Sequence, residues 1–209
     1  MADLDDEKLT QLTFFAERKD MLCWLRELTA RQDNNTTEND ELLSKISKTL
    51  EKYQEQSSLL DPHLPEMMEI IMSEAKSLVL SFEQERLGNL AASSGVDIYP
   101  YQIHECRKLD ALFQVVYDLC RVRGYKVILR LFSHEVSELE PVVHLLLSQD
   151  AANYETWKTR YSLLLWLAML ALLPFDLGSI DSGVGQDQGG VPLAATLLGA
   201  ARRHLADAG

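Results

Sequence analysis

The chain reads as all-α: a HEAT/armadillo-like α-solenoid of antiparallel helix pairs. Three observations predict this. Apolar residues recur at spacings of three and four in one segment after another, the period of a helix that buries one stripe. Strand signals are scarce. Six prolines and ten glycines punctuate 209 residues, and five of the glycines (178, 183, 185, 189 and 190) share one late stretch. About eight helices with short joints then group into pairs of roughly 35–45 residues, the size of a HEAT or armadillo unit. A compact bundle is the competing arrangement, since no strict period is visible. Either way each helix must bury its stripe against a neighbour, because isolated helices are marginal in water.

The elements follow in chain order. Leu4 to Ala30 is broadly helical, with Leu9, Leu12, Ala16, Leu22, Leu25 and Leu28 in helical register. A polar joint, Gln32 to Thr37, precedes a helix capped by Thr37 or Asn39, whose stripe is Leu42, Leu43, Ile46, Leu50 and Tyr53. Asp61-Pro62 is a start signal for the next helix, and Pro65 delays that start by up to three residues. That helix runs through Met67, Met68, Ile70, Ile71, Leu78, Val79 and Phe82. Gly88 to Tyr101 reads as a loop. Leu109, Leu112, Phe113, Val116, Leu119 and Cys120 form a second clean stripe, ending at Gly124 in the place of a left-handed cap. Tyr125 to Phe132 is a short helix. Ser133 to Ser148 is another, with a kink or break expected at Pro141, which lacks a backbone donor. Asn153 caps the most apolar helix, which ends before Pro174, and Val191 to Ala208 is the last. The domain boundaries expected are 1–37 for an N-terminal helical segment, 38–176 for the repeats with 73–107 as an insertion, 177–190 for a Gly-rich loop, and 191–209 for the terminal helix of an incomplete repeat.

Composition narrows the function classes. The chain is 46% hydrophobic and 25% charged, a globular balance for one domain or slightly more. Its net charge of −12 disfavours nonspecific binding to nucleic-acid phosphates or an anionic membrane. Proteins, metals and small molecules remain as partners. The acidic start, Met1-Ala2-Asp3-Leu4-Asp5-Asp6-Glu7, is neither a secretory signal nor a transit peptide. The longest apolar run, Leu163 to Leu173, is 11 residues, against about 20 for a membrane span. Cys23, Cys106 and Cys120 have no CxxC spacing and are expected as reduced, buried packing residues of an intracellular protein.

No catalytic constellation emerges. There is no GxxxxGK[ST] loop and no GxGxxG after a strand. His134-Glu135 would begin a zinc-protease motif, but position 138 is Glu rather than His. His104-Glu105-Cys106 lacks a second ligand pair. Glu138 and Glu140, like Asp5 and Asp6, are expected on solvated faces. Two features stand out instead. Trp157 to Leu173 is apolar nearly all round, the pattern of a helix buried on all sides or placed in an interface. Arg121, Arg123, Lys126 and Arg130 cluster at one joint, either as a solvated helix end or as a basic patch for an acidic partner.

Three segments carry a family resemblance: Lys52 to Leu64 (KYQEQSSLLDPHL), Val122 to Val136 (VRGYKVILRLFSHEV) with Glu140-Pro141, and Trp157 to Trp166 (WKTRYSLLLW) with Pro174-Phe175-Asp176. Together they resemble the N-terminal part of the tubulin-folding cofactor D family, the tubulin-specific chaperones D, over about residues 40–181. Residues 73–107 and the Gly-rich stretch after Asp181 depart from that pattern. The resemblance implies a helical scaffold that binds β-tubulin after its release from the chaperonin. Such a scaffold works with cofactors C and E to assemble the α/β heterodimer, and stimulates GTP hydrolysis only within that assembly. It also implies an Arf-like small GTPase partner and a cytoplasmic, cytoskeletal location, including centrosomes and cell junctions. It implies no catalytic residue, metal or cofactor. Arg123, Tyr125, Lys126 and Arg130 are the candidate partner contacts. Tubulin is acidic, so a chain of −12 needs such a basic patch to meet it. The alternative is a truncated regulatory or non-functional interaction module that binds a small GTPase or another partner without chaperone activity.

Overall fold

Helices account for nearly all of the computed structural model, which describes residues 13–31, 36–92, 107–150, 152–174 and 192–206. The α-helices are α1 (Arg18–Ala30), α2 (Thr36–Glu51), α3 (Leu64–Ala92), α4 (Arg107–Arg123), α5 (Tyr125–Leu129), α6 (Leu139–Ser148), α7 (Trp157–Ala171) and α8 (Leu193–Ala206). Short 3-10 segments cover Gln54–Leu60, Val136–Glu138 and Tyr154–Thr156. No strand occurs among the described residues.

Two layers result. Helices α1, α3, α6 and α8 pack in succession, and α2, α4 and α7 pack in succession beside them. Across the layers α1 meets α2, α3 meets α4 and α6 meets α7. Three stacked helix pairs are the architecture of an α-solenoid, and a bundle with one shared axis is excluded. Helix α4 is the hub: it touches α1, α2, α3, α5 and α7. Its residues Leu109, Leu112, Phe113, Val116 and Leu119 are buried, as the stripe predicts, but so are Ala111, Val115, Asp118 and Val122. The α2 stripe behaves as expected: Leu42, Ile46, Leu50 and Tyr53 are buried, and Leu43 packs against them.

Several sequence expectations are corrected. The first described helix starts at Arg18, and residues 13–17, expected to be helical, are an irregular turn. This entry is held by Tyr53. Its ring meets Phe15 edge-on at 4.9 Å. Its hydroxyl accepts from the Ala16 N–H at 3.1 Å and donates to the Glu17 carboxylate. Helix α2 begins at Thr36, so neither Thr37 nor Asn39 is its cap. The Asn39 Oδ1 instead accepts from Arg31 Nη1 at 3.3 Å. Helix α3 begins at Leu64, with Pro65 in its first turn where no donor is required. It continues through Gly88 to Ala92, where a loop was expected. The unit Ser133 to Ser148 is not one helix. A 3-10 turn over Val136–Glu138 leads into α6 at Leu139. Pro141 therefore lies in the first turn of α6, where a missing N–H costs nothing, and it does not kink the helix. Gly124 has φ +96°, a conformation few residues other than glycine adopt, as expected at that joint. The expectations for residues 1–12, His104-Glu105-Cys106 and the 177–190 stretch fall outside the described residues.

The most apolar helix, α7, is buried on one side rather than on all sides. In α7, Thr159, Ser162, Leu163, Trp166, Leu167 and Leu170 are buried. Leu172 just beyond it is 73% exposed. Asn153 caps the preceding 3-10 turn, accepting from the Glu155 N–H at 3.0 Å. Among the described residues no helix is long and apolar enough to cross a membrane.

The α3–α6 seam carries a titratable pair. His144 Nδ1 lies 3.2 Å from both Glu83 carboxylate oxygens, and Arg86 donates to the same oxygens at 2.7 and 2.9 Å. Burial alone would raise the Glu83 carboxyl. The His144 and Arg86 contacts overcome that and hold it at about 2, below its ordinary 4.5. A lowered carboxyl stabilises the fold fully above pH 4.5 and loses that contribution as pH falls towards 2. The contribution is up to about 3 kcal/mol. Unfolding by urea at pH 6 and pH 3 is expected to show a stability drop that Glu83→Gln largely removes.

Candidate partner-binding surface

The four basic residues of the α4–α5 joint divide into two pairs. Arg121 Nη2 donates to Glu51 Oε1 at 2.6 Å. Arg123 forks onto Asp61, Nε to Oδ1 at 2.5 Å and Nη2 to Oδ2 at 2.8 Å. The bidentate Arg123 contact holds the Asp61 carboxyl below the usual carboxylate range. Asp61 is thus the tether of Arg123 rather than the start signal of α3. These pairs join α4 to the end of α2 and to the connection between α2 and α3, and leave Arg123 half-buried. Lys126 and Arg130 are exposed and form no ion pair among the described residues. Tyr125 is 47% exposed between them and Gly124. The structure therefore brings Tyr125, Lys126 and Arg130 to the surface and turns Arg123 inward as their support. Between Asp118 and Glu135 the sequence holds no acid, and Asp118 itself is buried.

A groove of ≈ 390 Å³ opens beside Arg130. Pro65, Glu69, Met72 and Lys76 of α3 form one wall, and the segment from Arg130 to Glu135 forms the other. Two of the groove's lining residues, Ser133 and Lys76, are tied to Glu138, which is 1% exposed. This corrects the expectation of a solvated carboxylate. Glu138 accepts from Ser133 Oγ at 2.7 Å and from Trp166 Nε1 at 3.2 Å, and pairs with Lys76 Nζ at 3.0 Å. Lys76 also reaches Glu135 at 2.6 Å. The Glu135 and Glu138 contacts raise the Lys76 ammonium. One buried carboxylate thereby ties α3, the Ser133 turn and α7 together.

On the α2–α4–α7 layer a second groove, of ≈ 440 Å³, is lined by Asp40, Leu43, Ser44, Ser47, Lys48, Glu51 and Gln114. Next to it stands an aromatic cluster that the sequence did not single out. Tyr117 meets Trp157 at 4.7 Å and Tyr161 at 5.7 Å, both edge-on. Burial pushes the Tyr161 hydroxyl up to about 12 and its neighbour, the Cys120 thiol, to about 11. The signal was available: Trp157 and Tyr161 are four apart, hence on one face of the α7 start. Cys120 is buried as expected, whereas Cys23 is exposed on α1. No group of three or more His, Cys, Asp or Glu side chains gathers to hold a metal among the described residues.

Comparison with known proteins places this scaffold. The sequence model of a family described as "Tubulin-specific chaperone D-like, ARM repeat" matches residues 50–209. The chain is 30% identical over 86 residues to Tubulin-folding cofactor D of Schizosaccharomyces pombe, covering 41% of this chain and 8% of that protein. It is 26% identical over 153 residues to Tubulin-specific chaperone D of Dictyostelium discoideum, covering 69% of this chain and 10% of that protein. It thus spans about a tenth or less of the length of these relatives. No solved structure matches it. The stacked helix pairs and the match over residues 50–209 agree: the chain belongs to the tubulin-specific chaperone D-like, armadillo-repeat family.

Proposed function

We propose that the chain is a scaffold segment of a tubulin-folding cofactor: it binds β-tubulin and takes part in assembling the α/β heterodimer, in the cytoplasm. Family membership over residues 50–209 is the observation that supports this reading. The relatives' names speak of tubulin folding and a tubulin-specific chaperone. The scaffold has no chemistry of its own in this proposal. Cofactors C and E and an Arf-like small GTPase are its further partners, and GTPase activation arises only in the multi-cofactor assembly. Tyr125, Lys126 and Arg130 contact the partner, and Arg123 positions them through Asp61.

Electrostatics gives a direct test. An acidic partner is repelled by most of a −12 chain and is steered to the unpaired cations. Lys126→Glu with Arg130→Glu is expected to slow β-tubulin capture by the purified chain on the order of tenfold at low salt, with an unchanged circular-dichroism spectrum. Undiminished capture by the variant would remove the joint as the contact. Absence of capture by the unaltered chain would remove the function.

A further inference from the structure

We propose that the α4–α5–α7 surface is a docking platform for an acidic segment of a partner protein that also carries an apolar anchor. Only the naming of tubulin as one such partner rests on the function proposed above. Three aromatic side chains converge here from two helices, with a fourth on the adjoining α5. Tyr117 of α4 contacts Trp157 and Tyr161 of α7 at 4.7 and 5.7 Å. Tyr125 lies on α5, which packs against both α4 and α7. None of the four is fully buried, and Tyr125 is 47% exposed. Aromatic residues that keep part of their surface in water are the usual anchors of protein interfaces. They offer a large rigid area with few rotamers to freeze.

Charge selects the occupant. Lys158 Nζ sits 5.5 Å from the Tyr117 ring centroid and 5.6 Å from that of Trp157. Its hydrogen bond goes to the neutral Gln114 Oε1. Lys158 and Lys126 have no carboxylate partner among the described residues. Over the aromatic faces the ammonium of Lys158 is held in place while its charge remains uncancelled. A carboxylate arriving here meets a preorganised cation at the edge of an apolar surface. A phosphate-dense polymer would meet the −12 of the whole chain instead. A peptide with spaced carboxylates and one apolar side chain satisfies both features.

The test uses the full chain and a synthetic peptide of glutamates around one phenylalanine, followed by 1H–15N NMR. The expected result is a shift of the Trp157 indole N–H and of amides in 117–126 and 157–161. The buried Trp166 indole should stay in place. Lys126→Glu with Lys158→Glu should weaken the peptide at least tenfold, and the same peptide with lysines for glutamates should not bind. Shifts scattered over other helices, equal binding of the lysine peptide, or full binding by the variant would overturn the platform. Capture of β-tubulin separates the two proposals. If the double variant loses the peptide but keeps tubulin, tubulin docks elsewhere and the platform stands. If the unaltered chain binds the peptide here but never tubulin, the cofactor function fails and the platform stands.

Discussion

Glu138→Ala is expected to lower stability by about 3–5 kcal/mol, the cost of breaking a buried charged network from one side. The carboxylate is 1% exposed. Its removal leaves the Trp166 indole N–H and the Ser133 hydroxyl without their acceptor. Lys76 keeps only Glu135, whose side chain is 62% exposed. Glu138→Gln should cost less, because one amide oxygen still accepts a hydrogen bond, and Trp166→Phe should cost less again. The mutual dependence of Glu138 and Trp166 should appear in a double-mutant cycle as non-additive losses. Urea unfolding at neutral pH checks all of these. A loss under about 1 kcal/mol for Glu138→Ala would place the side chain in water.

Phe113→Ala carries the second large effect. Phe113 is fully buried in α4, the helix that touches both layers. Truncating a buried phenylalanine leaves a cavity and costs about 3–5 kcal/mol. Leu198→Ala on α8, where the side chain is 60% exposed, is expected to change stability by under about 0.5 kcal/mol. Since α4 bridges the stacked pairs, Phe113→Ala should also broaden the unfolding transition, as coupling between repeats weakens. Near-equal effects of the two substitutions would contradict the assignment of α4 as the hub.

Helical period and stripe composition made most of the architecture legible. The α2 and α4 stripes and the Gly124 joint follow from apolar spacing and backbone freedom alone, whereas the one-sided burial of α7 does not, because its sequence is apolar nearly all round. Helix starts were less legible. Asp61 has the residue type of a cap, but its carboxylate goes to Arg123, 62 residues away in sequence. Asn39 likewise serves Arg31. A polar side chain's partner is a tertiary fact, and local preference is outweighed when a guanidinium approaches. Glu138 was misplaced for the same reason: its neighbour Glu140 and a polar turn suggest solvent, while its partners Lys76 and Trp166 come from other helices. At the candidate surface the basic group was visible as a run without acids. Its division into two tethered arginines and two exposed cations was not, because Glu51 ends α2 and Asp61 lies in the connection that follows it, both far from the joint in sequence. The aromatic cluster was hidden because Tyr117 and Trp157 meet only when α4 stacks on α7.

Hydrogen–deuterium exchange of the full chain with and without β-tubulin tests most directly whether this stack of helix pairs is a tubulin-docking scaffold. Binding should slow exchange in 121–130 and 154–161, with α1 and α6 unchanged. No protection anywhere, or protection confined to the α1–α3–α6 layer, would contradict it.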